Sequence, residues 1–154
     1  MIQSVAREKQ RLDTLFVLAG KLPPEEEALS HWARYLCVLT SGFIENSMRM
    51  LLKTYIEQHA NDAVANFAWT RIKDLTNLNE ERLARLLGSF DPMWRETFED
   101  KTSSQQKDAI DSVVATRHLI AHGQSVGITL VRMKQYLAEV FNAVKIIDEE
   151  CINQ

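Results

Sequence analysis

Three prolines and five glycines are all that punctuate this chain of 154 residues. Average combined usage is about 12%, so the scarcity argues against a turn-rich β fold and for long helices. Cysteine is scarcer still. Cys37 and Cys151 stand alone, with no paired metal-ligand spacing, and free thiols in a reducing cytoplasm are the simplest reading. No apolar run approaches the roughly 18 residues that span a bilayer. The N-terminal stretch Met1–Lys9 mixes charges and has no apolar core, so neither a membrane anchor nor a signal peptide is expected. An excess of positive charge is also missing. Lys and Arg number 18 against 21 Asp and Glu, for a net charge of −3. That argues against a protein that coats nucleic acid through bulk charge, although one local basic pocket could still hold a phosphate or two.

What remains is an ordinary globular composition, 45% hydrophobic and 25% charged, long enough to bury a core without staples. No repeat, low-complexity tract or linker divides it, so residues 1–154 read as a single domain. Apolar residues recur at three and four along most of the chain, which predicts an all-α helical bundle with four longer helices plus short inserted helices. The frame helices are expected at about 2–20, 24–59, 103–122 and 129–151. Gly20 reads as a stop. Pro23-Pro24-Glu25-Glu26-Glu27 opens the second helix, with acids at its positive end. Leu36, Phe43, Ile44, Leu51 and Tyr55 mark that helix, and Gly42 inside it suggests close approach of a neighbour.

Asn61-Asp62 ends the run. Val64, Phe67, Ala68, Ile72 and Leu75 mark a third helix, with Trp69 off that stripe. Asn79 caps a fourth that Gly88 is expected to stop, and Asp91-Pro92 starts a fifth. Ser103 followed by Gln106 suggests a capping box for a helix carrying Ile110, Val113, Val114, Arg117 and Ala121 on one side. Ile128-Thr129-Leu130-Val131 is too short and too continuous with the next helical stripe to be read as a strand.

The chemistry concentrates at the end of the 103–122 helix, in Arg117-His118-Leu119-Ile120-Ala121-His122-Gly123. Two of the four histidines lie here, and no Asp or Glu occurs between Asp111 and Glu139, while Arg117, Arg132 and Lys134 do. An acidic chain thus keeps one acid-free segment where an anion could be held. Arg117 offers a planar fork of donors for phosphate oxygens. His122 can carry a proton in acid–base chemistry near neutral pH, and Gly123 lets the chain turn so that His122 stands at an edge. Arg117 and His122 lie about 140° apart around a helix axis, flanking a groove, whereas His118 and His122 share a face. Each residue taken alone has an ordinary structural reading, as a solvated arginine or a histidine paired with the helix dipole. A zinc half-site through His118 and His122 would need a further ligand from elsewhere, so no metal and no cofactor are expected.

Arg117-His118-Leu119-Ile120-Ala121-His122 resembles the R-x(4–6)-H motif of the HEPN superfamily (higher eukaryotes and prokaryotes nucleotide-binding). The stretch Thr40-Ser41-Gly42-Phe43-Ile44-Glu45-Asn46-Ser47 in the long helix is similar to the RiboL-PSP type, which carries an acid where Glu45 stands. The resemblance implies a metal-independent endoribonuclease that dimerises through the motif helices, with RNA as substrate. It also implies a toxin or phage-defence role beside a neutralising, antitoxin-like partner. It makes Arg117, His122, His118 and Glu45 candidate catalytic residues, and Arg117, Asn46 and Arg49 candidate substrate contacts. Glu45 could instead form an ion pair with Arg49, four residues on. The alternative function is a non-catalytic HEPN bundle that binds nucleotide, RNA or a protein.

Overall fold

The computed structural model describes residues 2–25 and 27–153. Glu26, one of the acids assigned to the start of the second helix, lies outside them. Among the described residues the chain forms seven α-helices and no strand: α1 (Gln3–Ala19), α2 (Glu27–His59), α3 (Asp62–Ile72), α4 (Glu80–Phe90), α5 (Pro92–Lys101), α6 (Ser104–Ala121) and α7 (Leu130–Ile146). The all-α bundle anticipated from periodicity is the fold found. None of these helices is long and apolar enough to cross a membrane.

Local capping chemistry sets most boundaries. Asn61, Asn79, Asp91 and Thr129 each accept a backbone N–H of the helix they precede. Such caps satisfy amides that a helix start leaves unpaired. Ser103 and Gln106 form the reciprocal capping box that opens α6. The 33-residue α2 is the spine of the bundle, with α1, α6 and α7 packed around it. Leu36, Phe43, Ile44, Met48, Leu51 and Leu52 on α2 are each no more than 1% exposed. In the middle of α2 burial extends around much of the helix, because it has neighbours on several sides.

Several sequence-based expectations are corrected. The third helix ends at Ile72, so Leu75 lies in the following loop. Val64 and Phe67, assigned to its inner stripe, are 53% and 61% exposed. Ala68 and Ile72 of that stripe do face the core, joined there by Ala65 and Trp69. Both pairs have helical spacing, and only the position of α2 decides between them. Trp69 therefore packs inward, with the Lys53 ammonium 5.4 Å from its ring centre. Ala121 on α6 is exposed rather than aligned with the buried Ile110, Val113 and Val114.

The two mid-helix glycines also differ from expectation. A Cβ added at Gly42 would meet nothing within 4 Å, so no neighbour requires glycine there. Gly88 does not stop α4, which continues to Phe90. A Cβ at Gly88 would lie 3.2 Å from Cβ of Arg95, and glycine instead lets α4 and α5 meet closely across the Asp91 corner. Finally, the last helix is α-helical only to Ile146 and continues as a π-helical segment, Ile147–Ile152. Asp148 in that segment is buried. It accepts the Ile2 N–H at 3.2 Å and the Asn153 side-chain amide at 2.5 Å, joining the two ends of the chain. A buried carboxylate needs such donors to offset its lost hydration.

Candidate active site

The end of α6 has a defined geometry. The Gly123 N–H donates to the Ile120 carbonyl and the Gln124 N–H to the Leu119 carbonyl, both at 3.0 Å. With Gly123 in the left-handed region at φ 69°, this is a Schellman closure of the helix. The closure turns the chain away directly after His122, which is the C-cap and is exposed. His118, one turn earlier, is exposed too, and its ring meets that of His122 edge-on with centroids 4.4 Å apart. Among the described residues no group of three or more His, Cys, Asp and Glu is arranged to hold a metal ion.

Arg117 faces a different neighbour. It is half-buried, and its Nη1 donates to Oδ1 of Asn77 at 3.0 Å. Among the described residues it forms no ion pair, so a neutral amide holds its guanidinium and no carboxylate compensates its charge by contact. Asn77 sits in the loop between α3 and α4. At φ 53° it is the only described non-glycine residue in the left-handed region, which asparagine tolerates better than most residues.

Glu45 and Arg49 reach this same loop from α2. Glu45, 9% exposed, accepts the backbone N–H of Asn77 at 2.8 Å. Arg49 donates to the Leu75 carbonyl at 2.7 Å and to Oδ1 of Asn46. Asn46 in turn donates to Glu8 of α1 at 2.7 Å. The ion pair between Glu45 and Arg49 is therefore not formed; each side chain instead secures a backbone group of the loop. Leu78, at 3% exposure, anchors the loop from the other side. The structure thus joins Glu45 to Arg117 through Asn77, brings His118 and His122 together, and ties Asn46 and Arg49 to the loop's support.

An open groove of about 570 Å³ runs along α6 beside this arrangement. Val114 and Leu119 form part of an apolar wall, and Asn77, Arg82, Asp111 and His118 are polar members of its lining. Asp111 accepts the Glu80 N–H at the start of α4 at 2.8 Å. Arg82 lies 3.5 and 3.4 Å from the carbonyls of Thr76 and Asn77. His118 lines this groove, whereas Arg117 and His122 do not. Asn77, Arg82 and Asp111 line the groove, and none of them stands out as a candidate in the sequence. For Asn77 the signal available was an asparagine in a short interhelical loop without glycine.

A family model described as RiboL-PSP-HEPN matches residues 4–153 of the chain. No curated protein matches the chain, and no solved structure does.

Proposed function

The chain belongs to the RiboL-PSP-HEPN family, and from that premise we propose that it is a metal-independent endoribonuclease with Arg117 and His122 at its centre. The observation that carries this reading is the state of Arg117. It is half-buried at the end of the motif helix, held by the amide of Asn77 at 3.0 Å, and free of ion pairs among the described residues. A charged fork in that state has donors left for phosphate oxygens.

In the proposed reaction the 2′-oxygen attacks the adjacent phosphorus and the bond to the 5′-oxygen breaks. A base takes the 2′-hydroxyl proton, and an acid returns a proton to the leaving 5′-oxygen. The products are a 2′,3′-cyclic phosphate and a 5′-hydroxyl. His122 serves in proton transfer, and Arg117 binds the phosphate and stabilises its added charge in the transition state. His118 orients His122 through the ring contact, and two copies of the chain, meeting at their motif helices, complete the site.

The test is cleavage of a single-stranded RNA in EDTA. Wild type is expected to cut it, and Arg117→Ala and His122→Ala are each expected to lower kcat by about 10²–10³-fold. Activity lost with the chelator would overturn metal independence. Binding without cleavage would support the non-catalytic reading. Sedimentation as a monomer at micromolar concentration would remove the shared site. Slower growth of cells producing wild type than of cells producing Arg117→Ala would support a toxin role; equal growth would count against it.

A further inference from the structure

Every polar backbone group of Asn77 and its side-chain oxygen are engaged. Its N–H donates to Glu45 at 2.8 Å, its carbonyl accepts the Asn79 N–H at 3.0 Å, and its Oδ1 accepts from Arg117 at 3.0 Å. Arginine has donors only, so the atom of Asn77 that faces it must be the amide oxygen. The left-handed backbone at φ 53° would suit glycine better on steric grounds. An asparagine there accepts that strain and supplies a side chain in return. The loop beneath it is held at further points: the Leu75 carbonyl by Arg49, the Thr76 and Asn77 carbonyls by Arg82, and the core by Leu78. The partner of Arg117 is therefore fixed before any ligand arrives.

We propose that Asn77 is a positioning residue for Arg117, transmitting the anchorage of the buried Glu45 to the guanidinium through a Glu45–Asn77–Arg117 chain of hydrogen bonds. Glu45 then acts on the arginine without touching it. Because the last link is an amide, the guanidinium is oriented while its charge stays uncompensated. One donor on Nη1 is used, and among the described residues no other group accepts from the guanidinium. This inference rests on the ribonuclease reading for its catalytic consequence, but the positioning itself has a separate readout.

Two variants separate the side chain from the backbone. Asn77→Gly keeps the N–H for Glu45 and adopts the left-handed conformation freely, but removes the acceptor. Asn77→Asp keeps an acceptor and tolerates the same backbone, but adds a charge. Both are expected to melt close to wild type. Phenylglyoxal labelling of Arg117, followed by peptide mass spectrometry with the exposed Arg132 as internal control, reads the position of the guanidinium directly. Asn77→Gly is expected to raise Arg117 labelling severalfold and leave Arg132 unchanged, and Asn77→Asp to restore protection. In RNA cleavage Asn77→Gly is expected to lower kcat about tenfold or more with little change in KM, as for a contact that matters chiefly in the transition state. Asn77→Asp is expected to recover kcat and raise KM, because a carboxylate orients the guanidinium and also competes with phosphate for it. Unchanged Arg117 labelling in Asn77→Gly would overturn the proposal, as would Asp and Gly variants that are alike in labelling. If wild type cuts no RNA, the ribonuclease reading falls, and the labelling comparison still decides the positioning.

Discussion

His118 and His122 stand one turn apart on α6 with their rings 4.4 Å between centroids and inclined at 62°. An edge-on pair of this kind fixes one ring against the other, so a change at His118 should reach His122. His118→Ala is expected to lower RNA cleavage by about tenfold, the size of one aromatic contact. His118→Phe keeps an aromatic edge and no ionisable group, and is expected to stay within about threefold of wild type on the same basis. Initial rates in EDTA for the two variants provide the comparison. A phenylalanine variant as impaired as the alanine variant would show that His118 contributes proton chemistry of its own.

The Schellman closure after His122 depends on Gly123 at φ 69°. Gly123→Ala forces an L-residue into the left-handed region at a cost of about 1–2 kcal/mol, which lowers Tm by about 2–8 °C for a domain of this size. Gly123→Asn is expected to lose less, since asparagine also occurs at this position of the motif. Thermal unfolding followed by circular dichroism measures both. The order alanine below asparagine below glycine is the expected result.

Gly42 and Gly88 make opposite predictions. At Gly42 a methyl group meets open space, so Gly42→Ala gains helix propensity of about 1 kcal/mol and raises Tm by about 2–4 °C. At Gly88 the same methyl crowds Cβ and Cδ of Arg95 at 3.2 Å, so Gly88→Ala is expected to show a smaller gain or a loss. Denaturant midpoints of the two single variants check the order.

Cys37 Sγ donates to the Val113 carbonyl at 3.6 Å, linking α2 to α6 behind the motif. Burial pushes the Cys37 thiol up to about 12. It pushes Cys151 up to about 11, with Glu150 adding to the effect. At pH 8 the thiolate fraction of Cys37 in the folded chain is then about 10⁻⁴, and both thiols should resist a maleimide until denaturant is added. The sign for stability follows from linkage. Above the ordinary value of 9.0 the unfolded chain loses a proton that the folded chain keeps. The Cys37 contribution is therefore intact below pH 9 and declines as pH rises toward 12. Labelling of the native protein at pH 8 at the unfolded rate would contradict the burial.

Where the sequence made the structure legible, the information was local. Ser103 with Gln106, Asn79 before α4, Asp91 before Pro92 and Gly123 after His122 each act within a few residues, and each was found where its chemistry pointed. The pairing of His118 with His122 is likewise a matter of one helical turn. The misplaced face of α3 shows the limit. Val64 and Phe67 fit a helical stripe with Ala68 and Ile72 as well as Ala65 and Trp69 do, until α2 occupies one side and leaves Val64 and Phe67 exposed. Gly42 and Gly88 look alike as helix-interior glycines, and only Arg95 on the neighbouring helix distinguishes them.

The amino-acid order by itself determined an all-helical chain, the caps that delimit most of its helices, and the exposed edge on which His122 stands. These depend on hydrogen bonds and steric preferences that close within a turn or two. The support of Arg117 was decided only by tertiary structure. Asn77 is 40 positions from Arg117 and 32 from Glu45, and no periodicity relates the three. They meet because α2 and α6 pack together while the loop between α3 and α4 is pinned against them. A left-handed asparagine can bridge a buried acid and a cation only once that packing has set the distance between them.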